Sequence, residues 1–230
     1  NLPSCLPQAG GRQAFFFQTC GLEIELISMQ FSLLSHESRN LLPFLGEVYF
    51  YPDFLPLKEA DLYFKALKEG LAWQQEPIWM FGKQILQPRL TALYGDPKVR
   101  YGYSGIAMEA LPFTEVLEKI KVRLQEFTNQ EFTHVLCNFY RDGQDSMGWH
   151  RDNEPVLGRN PTIASLTFGA TRSFQLRPYG KKEPKLSLEL SHGSLLLMGG
   201  ESQHFWEHQL PKTKKVLAPR INLTFRKLMG

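Results

Sequence analysis

The sequence predicts a mainly β domain with flanking helices, of the double-stranded β-helix or jelly-roll type. Two observations carry this. Beyond Glu131, short apolar or alternating runs recur, parted by Gly, Pro or polar turns. Before them, two stretches space their apolar residues for helices rather than strands. The 230 residues, 43% of them hydrophobic, can bury one substantial core, and no repeat or low-complexity tract divides the chain.

Residues 1–40 read as an N-terminal extension, expected to be partly disordered, and residues 41–230 as one domain. The chain begins without methionine, and Met29 is a candidate natural start. Gly46-Glu-Val-Tyr-Phe-Tyr alternates as a strand does. From Leu57 to Leu71 the residues Ala60, Phe64, Leu67 and Leu71 form a helical stripe, with Gly70 near the stop. A second helix is expected from Thr114 to Phe127, its stripe built from Val116, Leu117, Ile120, Leu124 and Phe127, with Thr114 as the cap. Strands follow over Thr133 to Arg141, Ile163 to Ala170, Ser173 to Arg177, Lys185 to Leu190, Ser194 to Met198 and Arg220 to Lys227.

A net charge of +3 is too small to announce a nucleic-acid protein by itself, so any such footprint has to be local. Lys181, Lys182 and Lys185 form one basic cluster and Lys212, Lys214 and Lys215 another, although clusters of this kind are most often solvated loops. Cys5, Cys20 and Cys137 show no metal-like spacing, which fits a reducing compartment. No run is long enough to cross a membrane and no secretory signal opens the chain. An intracellular monomer is expected, nuclear in a eukaryote and cytoplasmic in a bacterium.

The chemistry concentrates in two places. In His150-Arg-Asp152 an extended backbone sends the histidine and the aspartate to the same side. Alone, such a pair is more often an ordinary surface feature. Two imidazoles and one carboxylate on one face of a metal leave the opposite positions open, which suits non-haem Fe(II) with O2 and a chelating cosubstrate. His208 is the best third ligand, with His204 as competitor. The second place is Arg220-Ile-Asn222-Leu-Thr224-Phe-Arg226, which alternates strictly, with polar side chains on one face and apolar ones on the other. Two arginines framing Asn and Thr offer forks for the two carboxylates of a dicarboxylic acid. Asn138 and Tyr140 share a face of an earlier strand and can hydrogen-bond an organic acid, or simply satisfy polar groups inside a barrel.

At these residues the chain resembles the AlkB family of Fe(II)/2-oxoglutarate dioxygenases, which remove alkyl groups from nucleic-acid bases by oxidation. The resemblance runs in order from about Gly46 to Leu228. It includes Asn138-x-Tyr140, His150-x-Asp152, Ile163-Ala-Ser-Leu-Thr-Phe-Gly169-Ala-Thr-Arg172, His192-Gly-Ser194, His208 and the Arg220 to Arg226 segment. It implies the 2-oxoglutarate dioxygenase form of the jelly roll and a catalytic domain over 41–230. His150, Asp152 and His208 would bind iron, and Asn138, Tyr140, Arg220, Asn222, Thr224 and Arg226 would hold 2-oxoglutarate, with O2 as second cosubstrate.

The chain looks most like the family members that repair double-stranded DNA. Phe81-Gly82-Lys83 matches their wedging hairpin: an aromatic ring inserted beside a flipped base offsets lost stacking, with Met80 alongside and Lys83 near a phosphate. Tyr101-Gly102-Tyr103 resembles the substrate lid, expected over about 75–110, where Tyr103 would stack on the base. Arg89, Asn153 and Glu154 complete the substrate residues the resemblance implies. Asn153 departs from the acidic residue of those relatives, which puts the lesion preference in doubt. The expected substrate is alkylated DNA carrying 1-methyladenine or 3-methylcytosine type lesions, duplex favoured, with formaldehyde, succinate and CO2 released. Rival readings are a same-cofactor demethylase of RNA or single-stranded DNA, a silent nucleic-acid-binding barrel, and a zinc hydrolase, which would leave Arg220 and Arg226 without a task.

Overall fold

The alternation that begins at Arg220 has a simple physical basis: this strand is covered on both sides, by polar groups on one and by helices on the other. The structure, a computed structural model, describes residues 39–80, 83–96, 101–103 and 106–229. Met29, with almost all of the expected extension, and Phe81 and Gly82 lie outside the described residues.

The strands are β1 (Glu47–Tyr51), β2 (Pro77–Met80), β3 (Lys83–Leu86), β4 (Leu90–Gly95), β5 (Tyr101–Tyr103), β6 (Ile106–Met108), β7 (His134–Tyr140), β8 (Met147–His150), β9 (Ile163–Gly169), β10 (Arg172–Pro178), β11 (Leu186–Leu190), β12 (Leu195–Gly199), β13 (Trp206–Leu210) and β14 (Arg220–Arg226). A six-stranded sheet runs in the order β1-β12-β9-β14-β7-β4 and a four-stranded sheet in the order β11-β10-β13-β8. All their pairings are antiparallel. Two sheets of this kind around one core, supported by helices, make the expected jelly roll.

Helix α1 (Leu57–Gly70) and helix α2 (Glu115–Thr128) close the outer side of the larger sheet. Ala60 and Leu67 of α1 and Leu117, Ile120 and Leu124 of α2 join Val135, Cys137, Leu166, Ile221, Leu223 and Phe225 in one buried cluster. The Thr114 side chain accepts a bond from Leu117 N at 3.3 Å, the cap its residue type predicts. Arg123 of α2 binds Glu59 of α1 at 2.7 Å and so ties the two helices together. Between the sheets a second cluster gathers Val48, Ile163, Phe174, Leu176, Leu196 and Trp206.

In the two larger sheets three strands escape the sequence reading: β4, β8 and β13. The last two carry histidines into the interior, so their inward face does not read as apolar. The other boundaries fall within a residue or two of expectation.

Two of the motifs that carry the resemblance have a structural reason. At Gly193 φ is +78°, and a Cβ there would sit 2.9 Å from the Leu55 carbonyl oxygen, so only glycine fits the turn before β12. The neighbouring His192 accepts from Gly169 N at 2.9 Å, locking that turn to the end of β9. Arg172, buried to 2% exposure, donates to the carbonyls of Asp142, Asp145 and Pro211 at 2.8–3.0 Å, joining the loops around β7, β8 and β13. Among the described residues no helix is long and apolar enough to cross a membrane.

Candidate active site

Strand register brings the distant polar residues together. In β14 and β7, Arg220 lies opposite Tyr140 and Asn222 opposite Asn138, while across β9 Asn222 faces Thr167 and Thr224 faces Ser165. Because side chains alternate along a strand, these all project to the inner face, and Ile221, Leu223 and Phe225 project to the helices. In the smaller sheet His208 of β13 stands directly opposite His150 of β8. The two sheets thus share one pocket, lined on the larger-sheet side by Asn138, Tyr140, Arg220 and Thr224 and on the other by His150, Phe174 and His208.

Within it, one ligand atom each from His150, Asp152 and His208 lies within 4.8 Å of the others. His208, and not His204, completes this triangle, since β13 turns Trp206, His208 and Leu210 inward and His204 falls in the helical turn before it (α3, Ser202–Phe205). His150 Nδ1 lies 2.8 Å from the Gly148 carbonyl oxygen. A carbonyl only accepts, so Nδ1 carries the proton and Nε2 keeps a lone pair. The Asp152 backbone N–H donates to Gln203 Oε1 at 2.9 Å and its Oδ2 accepts from Arg226 at 2.8 Å. Its Oδ1 is buried and has no hydrogen-bond partner among the described residues. An orphaned carboxylate oxygen facing two imidazoles is what a divalent cation would satisfy, and the donor set fits Fe(II).

The protonation states agree. Burial, with the charge of neighbouring groups, pushes His208 down to about 3, and burial likewise lowers His150. Burial alone would raise the Asp152 carboxyl, but Arg226 and the two imidazoles outweigh it and hold it at about 2. Lowered histidine values mean that both rings are neutral at ordinary pH and no proton has to leave before a metal binds. Co(II) affinity, read from visible absorbance, is therefore expected to fall by less than about 4-fold from about pH 8 to about pH 6; a drop of more than about 10-fold would contradict it.

The two arginines divide their work. Arg226 is tied to Asp152 in a buried ion pair. Arg220 donates to Thr167 Oγ1 at 2.7 Å, sits 5.4 Å from the Tyr140 ring centre, and has no carboxylate partner among the described residues. Burial lowers its guanidinium to about 10, with Tyr140 opposing. Asn222 and Thr224 line the pocket, yet Asn222 Nδ2 already donates to Ser165 Oγ and the Leu166 carbonyl, and Thr224 Oγ1 donates to Asn222 Oδ1. Arg220, Tyr140 and the Asn138 amide are thus donors that can turn to a carboxylate, beside Arg226, which lines the same pocket while holding Asp152.

The expected substrate residues are more scattered. Strands β2 and β3 form a hairpin with Met80 opposite Lys83, and Lys83 is exposed; β5 and β6 pair through Tyr101 to Met108 and Tyr103 to Ile106. Asn153 is exposed and Glu154 half-buried beyond Asp152. Arg89 is buried to 3% exposure, its Nε donating to Asn138 Oδ1 at 2.8 Å. Both lysine clusters are exposed. Sequence reasoning missed Met147, Phe174 and Met198, which line the pocket, and Gln203, which accepts from the Asp152 backbone N–H.

A model of the 2OG-Fe(II) oxygenase superfamily matches residues 47–226. Over 194 residues the chain is 43% identical to the alpha-ketoglutarate-dependent dioxygenase alkB homolog 3 of Mus musculus, covering 79% of this chain and 66% of that protein. It is 41% identical over 181 residues to the DNA oxidative demethylase ALKBH2 of Mus musculus, covering 74% and 76%. The structure of OsALKBH1 superposes with a TM-score of 0.55 at 18% identity, covering 82% of this chain and 100% of that one, a likeness of fold. The chain thus spans just under two thirds of the length of the homolog 3 relative. With a neutral imidazole pair, an orphaned carboxylate oxygen and an unpaired buried arginine in one pocket, the chain belongs to the AlkB family of the 2OG-Fe(II) oxygenase superfamily, whose chemistry uses Fe(II), 2-oxoglutarate and O2.

Proposed function

We propose that this chain removes N-alkyl groups from bases in DNA, of the 1-methyladenine and 3-methylcytosine type, releasing formaldehyde, succinate and CO2, with duplex DNA favoured over single strands. The observation that carries the reading is the presence in one pocket of Asp152 Oδ1 and Arg220, both buried and, among the described residues, the first without a hydrogen-bond partner and the second without a carboxylate. The first calls for a metal and the second for a dicarboxylate. A zinc hydrolase would use the triangle and leave Arg220 idle.

Fe(II) with 2-oxoglutarate and O2 supplies an oxidant able to hydroxylate a carbon next to nitrogen. The chain's own residues bind and orient. His150 and His208 offer neutral nitrogens, and Asp152 offers Oδ1 while Arg226 holds its other oxygen. Arg220, Tyr140 and the Asn138 amide would hold the carboxylates of the cosubstrate. Asp152 and His208 are buried while His150 is only half-buried, so a base approaches from the His150 side. Once hydroxylated, the alkyl group leaves nitrogen as an aldehyde without any protein nucleophile.

DNA as substrate is supported by the likeness to ALKBH2, named a DNA oxidative demethylase. The duplex preference rests on the resemblance of Phe81-Gly82-Lys83 to a hairpin that wedges into duplex DNA; in sequence the segment follows β2, which pairs with β3. The test is formaldehyde release from matched single- and double-stranded oligonucleotides carrying one N1-methyladenine. Turnover on duplex is expected, with a loss of about 10³-fold or more in His150→Ala. Phe81→Ala is expected to cost about 10-fold on duplex and little on single strands. Equal losses on both would remove the wedge; faster turnover on RNA would favour the demethylase of RNA; succinate without formaldehyde from any nucleic acid would remove the substrate class.

A further inference from the structure

Asn138 has to present its amide hydrogens, not its carbonyl oxygen, if it is to bind a carboxylate. An asparagine side chain is nearly symmetric in shape, so packing alone does not choose between the two orientations. Something with a fixed hydrogen-bonding sense has to choose. Arg89 has that sense, because a guanidinium only donates. Its Nε lies 2.8 Å from Asn138 Oδ1, in a contact between two buried side chains far apart in sequence. The oxygen is therefore committed to Arg89. Among the described residues nothing takes the Nδ2 hydrogens, and Asn138 lines the pocket that holds Arg220 and the triangle.

We propose that Arg89 is a positioning residue for the cosubstrate: by holding Asn138 Oδ1 it turns the Asn138 amide nitrogen into the pocket, toward a 2-oxoglutarate carboxylate. This rests on the functional reading above, in which that pocket takes 2-oxoglutarate. Arg89 stands one residue before β4, and β4 pairs with β7 so that Thr91 faces Asn138. The segment before it is fixed as well: the Pro88 carbonyl accepts from Ser146 N at 2.9 Å, just ahead of the strand that carries His150. At 3% exposure Arg89 is poorly placed to reach a phosphate on the surface, but well placed to orient a neighbour. Acting through Asn138, it belongs with the outer partners that aim a binding group.

The experiment is a double-mutant cycle on the 2-oxoglutarate dissociation constant, measured by calorimetry on Mn(II)-loaded protein without turnover. Arg89→Met is expected to weaken 2-oxoglutarate about 10-fold. Asn138→Ala is expected to weaken it at least as much, and Arg89→Met combined with Asn138→Ala to add less than about 2-fold to Asn138→Ala alone. A purely structural role would not produce that non-additivity. Arg89→Lys keeps the charge but loses the in-plane Nε–H, and is expected to behave as Arg89→Met; it carries the cycle if the methionine variant does not fold. Additive losses, or wild-type affinity in both Arg89 variants while Asn138→Ala is weak, would overturn the proposal and leave the functional reading standing. Failure of the wild-type protein to bind 2-oxoglutarate would remove both.

Discussion

Asp152→Ala is expected to abolish metal binding and turnover, and also to cost the fold about 3–5 kcal/mol. The two losses have different causes. Asp152 Oδ1 is the orphaned oxygen of the triangle, so its removal leaves two neutral imidazoles, too few ligands to hold iron. Oδ2 is the partner of Arg226, whose side chain is 5% exposed. Deleting the carboxylate takes the Asp152 partner away from a buried guanidinium, which costs far more than the pair contributes when intact. A second substitution separates the roles. Asp152→Ala with Arg226→Met is expected to recover most of the stability in urea unfolding and none of the Co(II) absorbance. Recovery of metal binding in the double variant, or full stability in the single one, would show that Asp152 is not both ligand and counter-ion.

Arg220→Met is expected to do the reverse, weakening 2-oxoglutarate by about 100-fold or more without destabilising the ligand-free protein. Arg220 has been taken out of water with a threonine hydroxyl and a tyrosine ring for company, so its desolvation is unbalanced until an anion arrives. Burial lowering its guanidinium to about 10 reflects the same imbalance. A methionine of similar length fills the space at no electrostatic cost. Thermal melts should show a midpoint for the ligand-free variant equal to or above that of the wild type. Stabilisation by 2-oxoglutarate, about 2.7 kcal/mol at a hundred times the dissociation constant in the wild type, should largely vanish at the same concentration. A variant that melts much lower without ligand would mean that Arg220 holds the fold rather than the cosubstrate.

These results turn on details that the sequence exposes unevenly. The segment from Arg220 to Arg226 was readable because its alternation is strict, and the structure explains why: one face packs on helices and the other lines the pocket. The helices were readable for the same reason, since Ala60 and Leu67, or Leu117, Ile120 and Leu124, recur at the spacing of one buried face. The strands that carry the histidines were not. Met147 to His150 and Trp206 to Leu210 turn polar rings inward, which erases the apolar period that marks a strand. With β13 unrecognised, His204 stayed a competitor to His208. The register that sets His208 opposite His150 decides between them.

Long-range polar pairing left no local trace either. Arg226 reads in sequence as a second carboxylate fork, and the structure adds a bond to Asp152, 74 residues away, that the sequence does not show. Asn222 and Thr224 read as free donors, yet their hydrogens are committed to Ser165, Leu166 and each other. Such commitments depend on which strands become neighbours, and that is a property of the whole sheet order.

The most direct test of the central claim is an anaerobic titration of the Fe(II)-loaded protein with 2-oxoglutarate, followed in the visible range. The site described here predicts a weak charge-transfer band that saturates at one cosubstrate per chain, needs far more 2-oxoglutarate in Arg220→Met, and is absent in Asp152→Ala. Tight metal binding with no spectral response to 2-oxoglutarate in the wild-type protein would contradict it, leaving the triangle without the dicarboxylate that Arg220 implies.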